Sequence, residues 1–354
     1  MSVAASSRMS VLAEPVVQRR RTWNLPRLLL GLFLLLTFFT ATQDLQAPIQ
    51  WLDDGDADIA GWVDKVGEGR PARQVGFLVL AVFGALGLVL PSRHDRPARI
   101  DWLIMYPLLA IVAWASMSVL WSIQPAFTAK RLVVFTAMWT SIAAIVKHFD
   151  VRDLAFAVVV YGFGSLLVGV YAEVRAGAYL VSSYSGSPWR LAGAMHPNHL
   201  GLTMAMTVLG LAYYFTITTT PRRRSLIGLA MFVAVIVLYL TRSRTSLAAL
   251  MFALGLFALL RMTPRQALAS FFVVGLAALV GAFFYYAGVL GAVWEVLLLG
   301  RKESDVTTLT GRTDIWAFAI EFMKDDYARM IVGVGHDTFF TPENTDAISK
   351  TTSF

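Results

Sequence analysis

The sequence predicts an all-α, polytopic membrane protein with about nine transmembrane helices, and three observations lead there. Of 354 residues, 57% are apolar and only 15% charged, with a mean hydropathy of +0.62. These values lie outside the soluble globular range. The apolar residues gather into nine runs, each near the length needed to cross roughly 30 Å of hydrocarbon once tilt and polar ends are allowed for. Within each run the apolar residues fall on all sides rather than alternating with polar ones. That pattern excludes the strands of a membrane barrel and leaves helices, which satisfy their own backbone in lipid.

In order, the cores of the runs are Leu28 to Thr40, Val75 to Leu90, Trp102 to Leu120, Leu132 to Val146, Leu154 to Tyr171, Leu200 to Ile217, Leu226 to Leu240, Ser246 to Leu260 and Ala267 to Tyr286. They divide the chain into a basic leader (residues 1–27), a helical membrane domain (28–286) and a long final loop (287–354). The leader carries Arg8, Arg19, Arg20, Arg21 and Arg27, which places it in the cytoplasm by the positive-inside rule. No small-residue cleavage site follows the first run cleanly, so it reads as an anchor rather than a removed signal.

Alternation then predicts inner loops holding Arg93, Arg96 and Arg99, then Lys147 and Arg152, then Arg222, Arg223 and Arg224, then Arg261 and Arg265. Every one is basic. The first outer loop instead holds Asp44, Asp53, Asp54, Asp56, Asp58, Asp64 and Glu68, in agreement with the same parity. Lys130 and Arg131, at the outer start of the fourth helix, go against it. Much of the positive charge behind the pI near 9.7 is thus an orientation signal, and no nucleic-acid role follows from it. Cysteine is absent, which removes disulfides and thiolate metal sites.

From Val174 to Trp294 the chain holds nine arginines, no lysine and no Asp or Glu. An unpaired guanidinium near mid-bilayer costs about 2.5–3.5 kcal/mol even on lenient insertion scales. The fork geometry of Arg suits phosphate, so an anionic ligand is the candidate partner. Parity assigns Arg222, Arg223, Arg224, Arg261 and Arg265 to the inner side, where they serve topology. Arg175, Arg190, Arg242 and Arg244 fall on the outer side, against the charge rule. Arg175 reads as an interfacial anchor. Arg242 and Arg244 occupy a turn of about five residues, Thr241 to Thr245, between two apolar helices, with snorkelling to lipid phosphate as the competing explanation.

Arg190 opens a second cluster, Trp189-Arg190-Leu-Ala-Gly193-Ala-Met-His196-Pro197-Asn198-His199, which leads into the sixth helix. Pro197 fits a first helical turn, His196 or a neighbour can cap it, and the free amides there favour an anion. Asn198 suits a hydrogen-bonded bridge between helices. A third cluster lies in the final loop. Thr310-Gly311-Arg312-Thr313-Asp314-Ile315-Trp316 opens an amphipathic helix with Thr313 as the expected N-cap, closing at Asp325 and Asp326. Gly333-Val334-Gly335-His336 then reads as a tight turn bringing backbone close to a partner or substrate, since it lacks the third glycine and the strand of a nucleotide loop.

Arg190 with His196-Pro197-Asn198, then Ser243-Arg244-Thr245, then Gly311 to Trp316, then Gly333-Val334-Gly335 and Phe339 together resemble the O-antigen ligase and O-antigen or exopolysaccharide polymerase family. The Leu120-Trp121-Ser122-Ile123-Gln124-Pro125 run, at the outer end of the third helix, is also similar to that family. The resemblance covers roughly residues 102–340. It implies a GT-C-like membrane glycosyltransferase of the bacterial inner membrane, needing neither metal nor cofactor. Its donor would be an undecaprenyl pyrophosphate-linked oligosaccharide at the periplasmic face. Its acceptor would be a second lipid-linked repeat unit or lipid A core, and a chain-length regulator protein is an implied partner.

By family position, Arg190 and Arg244 would stabilise charge on the leaving pyrophosphate, with Arg242, Arg312, His196, Asn198 and His336 as substrate-binding candidates. The first outer loop, with Trp51, Trp62 and Gly67 to Arg70, is closer to exopolysaccharide polymerases than to lipid A core ligases, so polymerisation is the expected activity and ligation the alternative. Family members continue past the long loop with a His-Asn pair and further helices, that His being the expected general base. The sequence ends at Phe354, where the pair would fall. The expectation is therefore a longer gene product, with His336 or His196 as substitute bases otherwise. A transporter or flippase for an anionic lipid is the alternative of another class; it would call for broken helices and an internal repeat. A non-catalytic partner in a polysaccharide assembly complex is a third.

Overall fold

The first eight apolar runs all become helices. The computed structural model describes residues 25–43, 71–91, 102–177, 183–184, 187–188, 190–263, 312–324 and 326–334, with scattered positions between 266 and 284. In chain order the helices are α1 (Leu25–Thr42), α2 (Pro71–Val89), α3 (Trp102–Met117), α4 (Pro125–His148), α5 (Val151–Ala176), α6 (Pro197–Ile217), α7 (Pro221–Leu240), α8 (Arg244–Arg261), α9 (Arg312–Lys324) and α10 (Tyr327–Val332). A short 3-10 turn, Ser118–Leu120, follows α3. A two-residue antiparallel hairpin, Ser183–Tyr184 against Ser187–Pro188, lies between α5 and α6. The described positions within the ninth run are helical. The leader, the acidic first outer loop and residues 287–311 lie outside the described residues.

Local sequence explains the helix ends. Pro125, Pro197 and Pro221 each open a helix at its first turn, where no backbone donor is lost. Asp150 and Asp153 form a reciprocal capping box at the start of α5. Gly177 ends that helix with a left-handed φ of 67°, its amide returning to Glu173 and Val174.

Four helices, α4, α5, α6 and α7, are long and apolar enough to cross a membrane, and α1, α2, α3 and α8 contain shorter apolar stretches. Apart from the two-residue hairpin, the regular structure of the described residues is helical, and the chain reads as a membrane protein. Large apolar side chains such as Leu103, Leu167, Phe252 and Leu260 point outward with most of their surface exposed, as expected where lipid replaces water as solvent.

Helices packed in hydrocarbon gain little from burying more hydrocarbon, so close contact is made by small residues. A Cβ on Gly84 would lie 2.8 Å from the Ser141 backbone nitrogen, and one on Gly87 2.7 Å from the Ala144 Cβ; these contacts press α2 onto α4. Gly162 faces Thr207, and Gly210 faces the Ala155 carbonyl, which joins α5 to α6. Two cores result. Leu30, Leu34, Phe77 and Leu80 pack with Val134 and Met138 between α1, α2 and α4. Leu200, Met204, Val208, Val237, Leu238 and Leu250 fill the space between α6, α7 and α8. The end of α1 links the two, through Thr42 on Tyr161 (2.8 Å) and Gln43 on Ser165 (3.0 Å).

At the end expected to be cytoplasmic, Lys147 Nζ donates to the carbonyls of Leu88 and Leu90, and the buried His148 ring meets that of Gly87. Side chains from α4 thereby satisfy the open carbonyls of α2. Tyr214, near the end of α6, donates to the Arg152 carbonyl at that same end. Arg224 folds over Phe215, while Arg222 and Arg223 are exposed, in keeping with a topology role.

Candidate functional site

The opposite end of the second core is built around residues 190–196. This segment is buried from Leu191 to Met195, so its backbone groups require partners. Leu191 donates its amide to the Leu240 carbonyl at 3.0 Å. Ala192 and Gly193 both donate to Oε1 of Glu173, at 2.9 Å each. Gly193 adopts a φ of +66°, and a Cβ there would lie 2.9 Å from the Gly169 Cα. Both the left-handed backbone and the close approach require glycine. The segment is therefore pinned to α5 on one side and to the end of α7 on the other.

That placement fixes Arg190. Its Nε donates to the Thr241 carbonyl and its Nη2 to Asn198 Oδ1, both at 3.0 Å. Asn198 stands in the first turn of α6, whose N-cap is His196; the His196 Nδ1 accepts from the Asn198 amide at 3.2 Å. A ring nitrogen that accepts must be unprotonated. Burial, with His199 and Arg190 adding positive charge nearby, lowers the His196 pKa to about 4.

The turn from α7 to α8 completes the arrangement. It is shorter than the sequence suggests, comprising Thr241, Arg242 and Ser243, with Arg244 already the first residue of α8. The physical reason is Arg242, which takes a φ of +50°, a conformation costing a non-glycine residue about 1–2 kcal/mol and one that reverses the chain at once. Gly201 of α6 admits this turn. A Cβ there would meet the Ser243 Cβ at 2.7 Å and Thr241 Oγ1 at 2.9 Å. Ser243 Oγ pairs with Ser246 Oγ at 2.9 Å, and Ser246 reaches the Asn198 carbonyl at 3.4 Å. The side chain of Ser243 therefore makes no capping bond to α8.

The N-termini of α6 and α8 thus meet at one place, together with the Arg190 guanidinium. Each helix start carries partial positive charge from its unpaired amides. A cation at such a position is unfavourable unless an anion is bound, and Arg244, the first residue of α8, has its Nη2 buried with no hydrogen-bond partner among the described residues. The ensemble can hold a multiply charged oxyanion such as a phosphate or pyrophosphate.

Of the residues singled out by sequence, the fold brings together Arg190, His196, Asn198 and Arg244, with Arg242 in the connecting turn. Arg175 is exposed in the last turn of α5. Arg312 begins α9, one residue earlier than the expected Thr313 cap; its side chain and His336 lie outside the described residues. Arg131 lies over the Phe127 ring at 4.9 Å, a local partner for a cation on the wrong side of the charge rule. Sequence reasoning placed Thr241 and Ser243 in the turn and the motif but gave neither of them, nor Ser246, a contact of its own, and it passed over Glu173. The signal for Glu173 was present: an acidic residue in an apolar helix, one position before the acid-free stretch.

Two other singled-out motifs meet elsewhere at this end of the molecule. Trp121 Nε1 donates to the Val332 carbonyl at 3.0 Å, and the Ile123 amide donates to the Val334 carbonyl at 3.2 Å. The tryptophan turn between α3 and α4 thereby holds the start of the Gly333 turn, where Gly333 has a φ of +81°.

Residues 229–352 match the family model described as O-antigen ligase. The match includes Arg242, Arg244 and the α9 to Gly333 segment, and begins after Arg190, His196 and Asn198. No curated protein and no solved structure matches the chain.

Proposed function

We propose that this membrane protein, with its O-antigen ligase family region at residues 229–352, transfers a glycan from an undecaprenyl pyrophosphate carrier to an acceptor hydroxyl at the outer face of the bacterial inner membrane. The supporting observation is the buried, unpartnered Nη2 of Arg244 at a helix start that adjoins Arg190 and a second helix start. In the transfer, the acceptor oxygen bonds to the anomeric carbon as the bond from that carbon to the pyrophosphate oxygen breaks. The hydroxyl proton leaves to a base, and the electron pair stays on the departing lipid pyrophosphate. Arg190 and Arg244 stabilise that developing charge, the largest contribution expected of a fixed electrostatic site. Arg242, Arg312 and His336 are assigned to substrate contact, His196 to capping the α6 start beside the substrate, and Asn198 to orienting Arg190.

In this reading the chain has about nine spans and a GT-C-like architecture, with residues 28–286 in the membrane and 287–354 outside. The reaction is polymerisation of lipid-linked repeat units, with a chain-length regulator as partner. Ligation of polymer to lipid A core is the second reading, favoured by the description of the matching family. Export of an anionic lipid has less support, since α4 to α7 each run as one uninterrupted helix where a transporter would break them.

The test is to profile lipid-linked glycans in the producing strain with Arg190→Ala and Arg244→Ala. A polymerase leaves single repeat units and no long chains; a ligase leaves long chains unattached on the carrier. Wild-type glycan from both normally expressed variants removes the proposal. Transfer by purified protein without an ion gradient separates the enzyme from a transporter.

A further inference from the structure

Glu173 is a costly residue to place where it stands. It lies in the last turn of a mostly apolar spanning helix and is buried to 4% exposure. A carboxylate there opposes the negative end of the helix dipole and gives up its hydration. An alanine would satisfy α5 equally well. What the carboxylate supplies is an acceptor for two main-chain donors, the amides of Ala192 and Gly193, on a single oxygen.

Gly169 lies one turn earlier on the same face of α5 and offers the gap into which Gly193 fits. Gap and anchor together set the position of residues 190–196 on α5 to within a hydrogen bond. Arg190, two residues before the anchored amides, then bridges to the Thr241 carbonyl and to Asn198. A segment free to slide on α5 would not keep that guanidinium at a constant distance from the start of α8. Preorganisation of this kind is what an electrostatic site depends on.

We infer that Glu173 is a positioning residue: through Oε1 it anchors the Ala192–Gly193 backbone and so holds Arg190 ready for the leaving pyrophosphate. This rests on the transfer reading above. Glu173→Gln can place its own Oε1 on the same two amides, whereas Glu173→Ala cannot. Glu173→Asp falls short by one methylene.

The full chain, purified in lipid nanodiscs, is assayed for transfer from the lipid-linked glycan of the producing strain, with inorganic pyrophosphate as competing probe and with a melting curve for each variant. Glu173→Ala is expected to lower kcat/KM at least thirtyfold per folded molecule and to weaken pyrophosphate inhibition at least tenfold. Glu173→Gln should stay within threefold of wild type in both. Where Glu173→Ala does not fold, Glu173→Asp serves, with an expected loss of at least tenfold in both constants.

Three outcomes overturn the inference alone, given that Arg190→Ala and Arg244→Ala abolish transfer. These are a Glu173→Ala protein with wild-type constants, one that loses only yield and melting temperature, or a Glu173→Gln protein as defective as Glu173→Ala. The last would mean that the charge is used rather than the anchoring oxygen. Wild-type transfer by Arg190→Ala and Arg244→Ala removes the transfer reading itself, and the role of Glu173 with it.

Discussion

Arg190 and Asn198 are joined by a hydrogen bond of 3.0 Å from Nη2 to Oδ1, which ties a loop guanidinium to the first turn of α6. The bond holds one edge of the fork while the Nε is held by the Thr241 carbonyl. Both of these anchors are neutral oxygens, so they orient the guanidinium without themselves pairing its charge.

Asn198→Ala should therefore loosen Arg190 without unfolding the chain. A hydrogen bond to a charged group is worth about 1.5–3 kcal/mol, so kcat/KM for transfer is expected to fall at least tenfold. Asn198→Asp should be worse, above a hundredfold, because a carboxylate would pair with the guanidinium and compete with pyrophosphate. Steady-state transfer kinetics check both, and a more active aspartate variant would contradict the anion-binding role.

Arg244 has a buried nitrogen with no hydrogen-bond partner among the described residues, and a buried donor left unsatisfied costs about 1–3 kcal/mol. Arg244→Met removes the cost while keeping much of the volume. The melting temperature is expected to hold or rise while transfer falls at least a hundredfold. Thermal scans beside activity measurements decide it; a variant that unfolds would make Arg244 a structural residue instead.

His196 predicts a pH dependence. Its pKa of about 4 lies below the ordinary 6.5 of a free histidine, so between those values the unfolded chain binds more protons than the folded one. Stability then rises with pH across that window and is lost as pH falls from 6.5 toward 4. His196→Asn keeps a capping oxygen and does not titrate. Melting curves from pH 7 to pH 4 should show a steeper decline for wild type than for the variant, and parallel declines would rule out the assignment.

Trp121 anchors the Gly333 turn through its indole nitrogen. Trp121→Phe keeps an aromatic ring and deletes the bond, while the Ile123 to Val334 hydrogen bond stays in place. Amide hydrogen exchange at residues 327–334 should accelerate several-fold, with no change in α5 to α8. Unaltered exchange would show that the loop is held by other contacts.

The helical class, the positions of eight helices and the candidate arginines were legible in the sequence, because hydropathy, proline placement and charge are properties of the chain read locally. Pro197 with His196 was enough to locate the start of α6 and its cap. Other features depended on contacts between distant residues. The stretch from Val174 was defined by its lack of acids, yet the nearest acid, Glu173, folds onto the amides of residues 19 and 20 positions later. Trp121 meets Val332 across 211 positions.

The sequence by itself determined that the chain is rich in helices apolar enough for a membrane and that a few arginines stand apart from the basic loops expected to face the cytoplasm. Only the tertiary structure decided which of them form a site. In hydrocarbon, helix positions are set by close approaches at small residues, such as Gly201 on Ser243 and Gly169 on Gly193. Those approaches bring two helix starts together and leave Arg244 at one of them with a nitrogen unsatisfied.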